Sequence, residues 1–262
     1  MYQLDESFIF SVAPRFSGAA ASAQRAIVAA VAPALGSTLS RYSIASKLRI
    51  AHFMAQVTHE CAGFRTTEEF ASGEAYEGRL DLGNLRKGDG RRYKGRGLLQ
   101  LTGRANYRDM GRRLGIDLEG DPHLAADPVT SLGIACEYWT SRDINAAADN
   151  DDLVKATRLV NGGTNGLEDR RRYLNKAKIA LAALDAALVA RDAGPALIVL
   201  RRGSVNEAVG SLQTLLRGAG YPLAVDDHFG PATELAVVAF QQRQGLAPDG
   251  IVGKRTWAAL NS

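Results

Sequence analysis

The chain has 262 residues, of which 46% are hydrophobic and 23% are charged, and its formal net charge is +4. This length can hold one large domain or a large and a small one, and the composition is typical of a globular protein with a real core. The mild positive charge suits an anionic partner but is too small to indicate nucleic-acid binding. Aromatic residues are sparse and alanine is abundant, which favours packed helices over sheets.

The N-terminus predicts no targeting segment. Asp5 and Glu6 stand where a secretory signal peptide would carry positive charge, so we expect none. The alanine-rich segment 19–35 contains a glutamine, an arginine and a proline, and we expect it to be too short and too polar to span a bilayer. Prolines and glycines should break residues 1–45 into short helical pieces, at Pro14, Gly18, Pro33 and Gly36.

An amphipathic helix is predicted over residues 46–61. Its apolar residues fall at i, i+3, i+4 and i+7, which is one face of a helix; they are Ile50, Phe53, Met54 and Val57. Gly63 is placed to cap the helix, and Glu60 lies at the border of the apolar face. A carboxyl group there would be partly desolvated and so favoured in its neutral form, as a general acid requires. The alternative is an ordinary solvated glutamate at a helix end.

Residues 63–97 are predicted to be an irregular, glycine-rich and basic segment. At about thirty residues it is longer than most loops of compact domains, which points to a functional role. It carries several carboxylates close to Glu60, namely Glu68, Glu69, Glu74 and Glu77. Its arginines and lysines are typical of a solvated surface, but their position beside these carboxylates suggests that they line a cleft.

The rest of the first 190 residues is predicted to be helical. No long segment alternates with a period of two, which excludes an extended sheet there. Helices are expected over 98–114, 128–143, 153–160 and 168–191. The expected core residues of the second and fourth of these are Ile134, Tyr138, Trp139, Ile179, Leu181, Leu184 and Leu188.

A domain boundary is predicted where Gly194-Pro195 follows the last long helix, giving domains at 1–192 and 197–262. The second domain contains an internal repeat. The segment 226–233 matches 249–256, and Val209, Leu212 and Gln213 are echoed by Val237, Phe240 and Gln241. Two or three short helices with a thin core are expected, and modules of this size more often bind than catalyse. The expected core is Val209, Leu212, Leu215, Val237, Phe240, Trp257 and Leu260.

The carboxylates indicate glycosidic bond hydrolysis. In that reaction one carboxyl protonates the leaving oxygen while a second activates water or attacks the anomeric carbon. Glu60 is the candidate acid, and spacing alone does not choose among the four partners in the following segment. The segment 95–107 adds Gln100, Thr102 and Asn106, which suit sugar hydroxyls and acetamides. Without these neighbours the segment reads as a polar helix start.

Other chemistries fit poorly. His59-Glu60 is not followed by a second histidine one turn later, so the zinc-protease motif is absent and no metal site is expected. Cys61 and Cys136 lack metal-ligand spacing, and Cys61 has no nucleophile motif around it, so we interpret it as a small buried hydrophobe. There is no phosphate-binding loop and no serine-nucleophile elbow. We expect no cofactor.

The segments 55–60, 93–107 and 161–163 resemble glycoside hydrolase family 19, which contains chitinases and phage endolysins with an α-helical, lysozyme-like fold. The resemblance covers roughly residues 45–185. It implies that Glu60 is the general acid, that Glu69 is the second carboxylate and that Thr102 helps hold the nucleophilic water. It also assigns sugar contacts or a link to the catalytic carboxylates to Gln100, Asn106, Tyr76, Asn161 and Arg170.

The family inverts the anomeric configuration, so the resemblance implies that Glu60 and Glu69 lie roughly 6.5–9.5 Å apart, with water between them. Two positions depart from the family pattern. Cys61-Ala62-Gly63 replaces a small residue followed by two glycines, and Ala105 replaces a tyrosine of the plant chitinases. The second departure weakens the case for chitin, and residues 71–84 are similar to the endolysin branch.

Residues 197–262 resemble a three-helix peptidoglycan-binding domain. The resemblance rests on Leu200–Ser204, the repeated turns and Thr256-Trp257, and it departs from the family at Asp227, where glycine is usual. The resemblances together imply an all-α, two-domain endolysin that cuts the β-1,4 bond between N-acetylmuramic acid and N-acetylglucosamine and lyses the host. The alternatives are a chitinase and a wall-binding protein without activity.

The expected partner is the peptidoglycan glycan strand, and we expect a monomer that binds no nucleic acid. Synthesis in the host bacterial cytoplasm and action in the periplasm or cell wall would require a holin-type membrane pore for release.

Overall fold

The computed structural model describes residues 2–192 and 198–261. The chain forms two compact units, Met1–Ala186 and Ala187–Ser262, which are described separately below. Most of the predicted domain boundary, at 193–197, lies outside the described residues. The domain limits inferred from the sequence therefore stay a prediction.

The described part of the first unit is a set of packed α-helices with one long, largely irregular connection over 61–88. The helices are α1 (Glu6–Val12), α2 (Gly18–Arg41), α3 (Lys47–Glu60), α4 (Asp89–Arg92), α5 (Arg104–Leu114), α6 (Pro128–Ser141), α7 (Ile144–Asp149), α8 (Leu153–Asn161) and most of α9 (Leu167–Asp192), which continues past Ala186. Short 3-10 turns lie at Glu74–Tyr76, Leu80–Leu82 and Pro122–Ala126. Isolated β-bridges, such as Arg96 with Leu101, are the extended pairings found within the described ranges. The all-α prediction is confirmed.

The helix α2 is longer than the sequence suggested, because it continues through Pro33 and Gly36, where we expected breaks. Core residues lie on both sides of the proline, namely Ile27, Val28, Val31, Leu35 and Leu39. Their burial offsets the hydrogen bond that proline cannot donate. At 24 residues, α2 is also the one helix of the described ranges that is long and apolar enough to cross a membrane. The segment 19–35 is therefore part of a longer apolar helix than we expected, and the apolar side of this helix packs in the core of the first unit.

The helix α3 lies at the centre of the first unit and packs against α1, α7 and α8. Ser46 caps its N-terminus by accepting a hydrogen bond from the Arg49 backbone N–H at 3.2 Å. The predicted apolar face is confirmed, since Ile50, Phe53, Met54 and Val57 are all buried. The ring of Phe53 packs edge-to-face against Trp139, with centroids 5.3 Å apart. This packing fixes the position of Glu60, the last residue of the helix.

The end of α3 differs from the predicted glycine cap. Ala62 occupies the left-handed position after the cap residue, with φ 49°, and Gly63 follows it with φ 73°. The Gly63 N–H donates to the Thr58 carbonyl at 2.7 Å and the Ala62 N–H to that of His59 at 3.1 Å, which is the Schellman pattern. Gly63 is needed for a different reason, because a Cβ there would lie 2.5 Å from the Pro14 ring.

Two other helix predictions need correction. The helix α5 begins at Arg104 rather than at residue 98. Before it, Arg96 and Leu101 exchange backbone hydrogen bonds of 3.0 and 2.7 Å around Gln100, whose φ of 54° cannot continue a helix. In α9 the predicted core residue Ile179 is 70% exposed. It lies two residues from the buried Leu181, on the other side of the helix.

The second unit contains α10 (Glu207–Gly218), α11 (Pro231–Arg243) and α12 (Lys254–Leu260). Val209, Leu212, Val237 and Phe240 are buried as predicted, and Trp257 and Leu260 pack against them. Leu215 was the wrong choice, since the neighbouring Leu216 takes the buried position. The core is accordingly small, as expected for a unit of this size.

The internal repeat is confirmed by equivalent hydrogen bonds around two buried glutamines. Gln213 Nε2 donates to the Asp226 carboxylate at 2.7 Å and to the Thr233 hydroxyl at 3.1 Å. Gln241 Nε2 donates in the same way to Asp249 at 3.0 Å and to Thr256 at 3.1 Å. Asp249 and Thr256 lie 23 positions after Asp226 and Thr233, respectively. Each glutamine thereby ties one helix to the turn and the helix that follow it.

Candidate active site

Glu60 ends α3 with its side chain 19% exposed and forms an ion pair with Arg170 of α9. Arg170 is buried, at 1% exposure. Its Nη2 donates to Glu60 Oε1, its Nη1 to Gln56 Oε1 and its Nε to the Asn165 carbonyl at 3.2 Å. Gln56 is held in turn by donating to Thr157 Oγ1 at 3.1 Å. The Arg170 guanidinium is therefore held by several partners and contacts the Glu60 carboxyl.

Glu69 is half-buried and is held by two donors. Tyr76 Oη donates to Oε2 at 2.9 Å, and the Gly95 backbone N–H donates to Oε1 at 2.7 Å. The Glu69 N–H also donates to the Gly95 carbonyl at 3.0 Å. The resemblance implied that Tyr76 contacts the substrate. In the structure its hydroxyl contacts Glu69.

Gly95 brings three predicted site residues together. A Cβ built on it would lie 2.8 Å from Gln100 Oε1, 3.3 Å from Glu69 Cδ and 3.3 Å from Thr102 Oγ1. Gln100, Glu69 and Thr102 thus surround one point of the backbone that has no room for a side chain. This is the arrangement expected if a carboxylate and neutral polar groups are to hold a water molecule.

Glu60 faces a cleft of about 320 Å³. The polar residues that line it with Glu60 include Gln100, Thr102, Asn106 and Asn161, so four of the predicted residues share a cavity with the candidate acid. Glu69, Tyr76 and Arg170 are not in its wall, although Glu69 adjoins Gln100 and Thr102 at Gly95. Tyr138, which we expected only in the core, also lines the cleft, and so does Arg142, which the sequence did not single out.

The turn that carries Gln100 and Thr102 is held locally. Thr102 Oγ1 donates to the Gln100 carbonyl at 2.9 Å, and Gln100 Nε2 donates to the Gly97 carbonyl at 2.9 Å. Asn106 Nδ2 donates to the Thr102 carbonyl at 2.7 Å. The left-handed φ of Gln100 is the kind of local strain that collects at functional sites.

Asn161 lies at the end of α8 and is held by the turn that follows it. It accepts from the Gly163 N–H at 2.8 Å and donates to the Asn165 carbonyl at 3.1 Å.

The other carboxylates of the segment have structural partners. Glu68 pairs with Lys94 at 3.1 Å and with Arg96 at 3.2 Å. Burial alone would raise the pKa of Glu68, but these two cations hold it below its ordinary value. Glu74 pairs with an arginine on the surface, and Glu77 accepts from the backbone N–H groups of Gly88 and Gly90 at 2.6 and 2.8 Å. Of the four candidates for the second carboxylate, Glu69 is therefore the one that lies next to the cleft residues Gln100 and Thr102.

Two further observations concern other chemistries. Cys61 and Cys136 are free thiols and are buried. Burial raises the pKa of Cys61 to about 12, so the thiol is not a nucleophile near neutral pH. Within residues 2–192 and 198–261, no three His, Cys, Asp or Glu side chains are grouped to hold a metal ion.

One residue that supports the site was missed although a signal was present. Gln56 lies four residues before Glu60, on the same side of α3, so a polar residue in a largely buried helix could have been read as a partner of the catalytic network. Arg142 had no such signal, because it enters the cleft from the end of α6, far along the chain from Glu60.

Two parts of the chain match known protein families. Residues 17–155 match the family of class I chitinases, glycosyl hydrolase family 19, and residues 205–260 match a peptidoglycan-binding domain family. A glycosyl hydrolase family 19 domain-containing protein of Haemophilus influenzae is 28% identical over 174 residues, which are 55% of this chain and 85% of that protein.

Other relatives cover smaller parts of the chain. Chitinase 8 of Oryza sativa subsp. japonica is 32% identical over 108 residues, 40% of each protein. The zinc D-Ala-D-Ala carboxypeptidase of Streptomyces albus G is 52% identical over 63 residues, 22% of this chain and 24% of that protein. The chain thus spans less than half of the rice chitinase and about a quarter of the carboxypeptidase.

The solved structure of a chitinase C mutant superimposes with a TM-score of 0.51 at 24% identity, covering 69% of this chain and 77% of that one. The likeness shows a shared fold, and the predicted lysozyme-like helical fold with a second, three-helix peptidoglycan-binding unit is confirmed. Because the family model covers more than half of its residues, the chain belongs to glycoside hydrolase family 19.

Proposed function

We propose that this protein is an endolysin-type muramidase, which hydrolyses the β-1,4 bond between N-acetylmuramic acid and N-acetylglucosamine of bacterial peptidoglycan. At a coarser level it is a glycosidase that acts on cell-wall glycans. The observation that carries the finer proposal is the combination of a family 19 catalytic region with a peptidoglycan-binding domain in one chain. A wall-binding unit concentrates the enzyme on its insoluble substrate, which raises the effective concentration of the glycan at the catalytic cleft.

In the proposed mechanism Glu60 is the general acid and protonates the leaving glycosidic oxygen. Arg170 stabilises the carboxylate that remains after proton transfer, because its guanidinium is already in contact with Oε1. Glu69 is the general base and takes a proton from the water that attacks the anomeric carbon. Thr102 and Gln100 adjoin Glu69 at Gly95 and position that water. Such an inverting reaction needs the two carboxyl groups roughly 6.5–9.5 Å apart.

The bond specificity is tested by digesting purified peptidoglycan and analysing the new reducing ends by mass spectrometry. We expect N-acetylmuramic acid at the reducing end of every new product. New N-acetylglucosamine reducing ends would instead make the enzyme a glucosaminidase, and the absence of any new reducing end would contradict the proposal.

A chitinase is the second candidate function, because the matching family is that of class I chitinases and a rice chitinase is among the relatives. Ala105, where the plant enzymes carry tyrosine, and the peptidoglycan-binding unit both favour the wall substrate. Parallel digestion of chitin oligomers distinguishes the two, since a chitinase would cut these faster than peptidoglycan. A wall-binding protein without activity is disfavoured because Glu60, Glu69, Gln100 and Thr102 are all present.

We further propose that the protein is made in the cytoplasm of a host bacterium, is released through a holin-type pore and acts in the periplasm or cell wall as a monomer. The proposal follows from the substrate, which lies outside the cytoplasmic membrane. Expression in a bacterial host should leave cells intact until a pore-forming agent is added, and rapid lysis should follow. Lysis without the agent would show that another release route exists.

A further inference from the structure

Arg142 is held over one side of the catalytic cleft. It follows the last turn of α6 and lines the cleft together with Glu60. Its guanidinium stacks on the Tyr138 ring, 4.3 Å from the centroid, and its Nη1 donates a long hydrogen bond of 3.4 Å to the Leu159 carbonyl. The stacked guanidinium is therefore preorganised, and most of its N–H donors remain available to a ligand.

The other charged residues of the cleft wall already have partners. Glu60 is paired with Arg170. Arg113 is paired with Asp109 at 2.8 Å and with Glu137 at 3.4 Å. Among the charged residues that line the cleft in the described part of the chain, Arg142 alone has no oppositely charged partner. The cleft thus presents one uncompensated positive charge to its substrate.

Arg142 and Glu60 lie near the same aromatic side chain. Tyr138 donates from Oη to the Val160 carbonyl at 2.7 Å. Burial is the main cause that raises the pKa of Tyr138, while Arg142 lowers it and Glu60 raises it. Glu60 and Arg142 also line the same cleft, so a glycan bound there can contact both side chains.

We propose that Arg142 binds a carboxylate of the glycan substrate and so selects muramyl glycans over chitin. This inference rests on the proposed function. Chitin carries N-acetylglucosamine alone and has no carboxylate, whereas peptidoglycan strands carry carboxylates on their stem peptides, or on the lactyl ether once the peptide is removed. A guanidinium with free donors can form a charge-assisted, bidentate contact with either kind of carboxylate.

The test compares the native protein with Arg142→Gln on matched glycan strands. One strand preparation carries stem peptides, a second has been stripped by an amidase to leave lactyl carboxylates, and a portion of each is neutralised by carbodiimide coupling to methylamine. Arg112→Gln is the matched control, because Arg112 is exposed, pairs with Asp109 at 3.2 Å and does not line the cleft. The readout is kcat/KM for the release of reducing ends.

We expect Arg142→Gln to lower kcat/KM about fivefold on carboxylate-bearing strands, as suits a partly exposed charge contact. Methylamidation of the strands should lower kcat/KM of the native protein by a similar factor. It should leave kcat/KM of Arg142→Gln unchanged, because the substitution and the methylamidation remove the same contact. A loss on peptide-bearing strands assigns the contact to the stem peptide, and a loss on stripped strands assigns it to the lactyl group. Arg142→Lys should keep part of the native preference.

An equal native-to-variant ratio on charged and methylamidated strands would overturn the inference, and so would a native enzyme whose kcat/KM is unchanged by methylamidation. The second result needs no variant, so it is informative even if Arg142→Gln folds poorly. A native enzyme that releases no reducing ends from any strand would instead overturn the proposed function, and this inference with it.

Discussion

Gly95 shows how the cleft depends on single residues. The glycine lets Glu69, Gln100 and Thr102 approach one point of the backbone, and its own N–H fixes the Glu69 carboxylate. Spacing in the sequence did not choose among four carboxylates, because a loop can return any of them to Glu60. Glu69 is distinguished from the other carboxylates by its three-dimensional contacts at Gly95. Sequence spacing does not reveal such contacts.

We predict that Gly95→Ala lowers kcat by about a hundredfold, because displacing catalytic groups by about 1 Å has an effect of that size. The new methyl group would meet Gln100 Oε1 at 2.8 Å and push the side chain away. The matched control is Gly133→Ala in α6, where a Cβ meets nothing within 4 Å. The measurement is reducing-end release from peptidoglycan, with thermal melts of both variants. Native-like turnover by Gly95→Ala would contradict the assigned arrangement.

Ala62 carries backbone strain at the turn that follows Glu60. Its φ of 49° is left-handed, a conformation that costs an alanine about 1–2 kcal/mol and costs glycine little. We therefore predict that Ala62→Gly stabilises the protein, by about 0.5 kcal/mol after the greater freedom of glycine in the unfolded chain is subtracted. The neighbouring Gly63→Ala should destabilise it, because it combines φ 73° with a contact to Pro14 at 2.5 Å. Urea unfolding measures both, and a loss of stability in Ala62→Gly would show that the turn tolerates alanine.

At the scale of elements, the sequence predicted best where local pattern and tertiary packing agree. The apolar face of α3 and the boundaries of α8 and α9 follow from periodicity and the flanking glycines. The helix α2 was misjudged at Pro33 because its stability comes from burial in the core, which a local rule for proline does not include. The start of α5 was misjudged because the exchange of hydrogen bonds between Arg96 and Leu101 overrides helix propensity.

The contact of α3 with the segment before α8 predicts a pH dependence of stability. His52 is buried, and its Nε2 lies 2.8 Å from Asp151 Oδ1. Burial is the main cause that lowers the pKa of His52 below its ordinary value of 6.5, against the opposing effect of Asp151. Below about pH 6.5 the unfolded chain therefore binds more protons than the folded chain, so stability falls as the pH falls.

We expect His52→Gln to flatten this dependence, because glutamine can still donate to Asp151 but does not titrate. The measurement is the slope of the melting temperature against pH, between pH 7.5 and 5.5, for the native protein and for His52→Gln. His59, whose pKa is also lowered mainly by burial, should leave part of the slope in place. An identical slope in the native protein and His52→Gln would refute the assignment.

At the scale of the whole molecule, the chain has two units with separate cores, and we propose that they divide binding and catalysis between them. The first contains every residue assigned to the reaction, and the second contains the repeated glutamine-centred turns. The repeat was readable from the sequence because its aspartate, glutamine and threonine recur in order. The charge of the cleft could not be predicted from the sequence. It depends on which arginines form ion pairs with acidic side chains in the folded protein.

We predict that a chain ending at residue 192 loses most of its affinity for insoluble peptidoglycan and keeps the turnover of the full chain on soluble glycan fragments. The reason is that the second unit acts by holding the enzyme on the wall, which a soluble substrate does not require. Sedimentation with purified walls measures binding, and fragment hydrolysis measures turnover. A large fall in turnover on soluble fragments would show that the second unit takes part in catalysis.

The central claim, that Glu60 and Glu69 hydrolyse the glycan of the wall, is tested most directly by the rate of reducing-end release from purified peptidoglycan. Glu60→Gln and Glu69→Gln, which keep side-chain volume, should each lower the rate by about 10²–10⁴-fold while wall binding is unchanged. Glu68→Gln is the matched control, since Glu68 pairs with Lys94 and Arg96 instead. A Glu60→Gln protein that releases reducing ends at the native rate, or a Glu68→Gln protein that loses more activity than Glu69→Gln, would contradict the account.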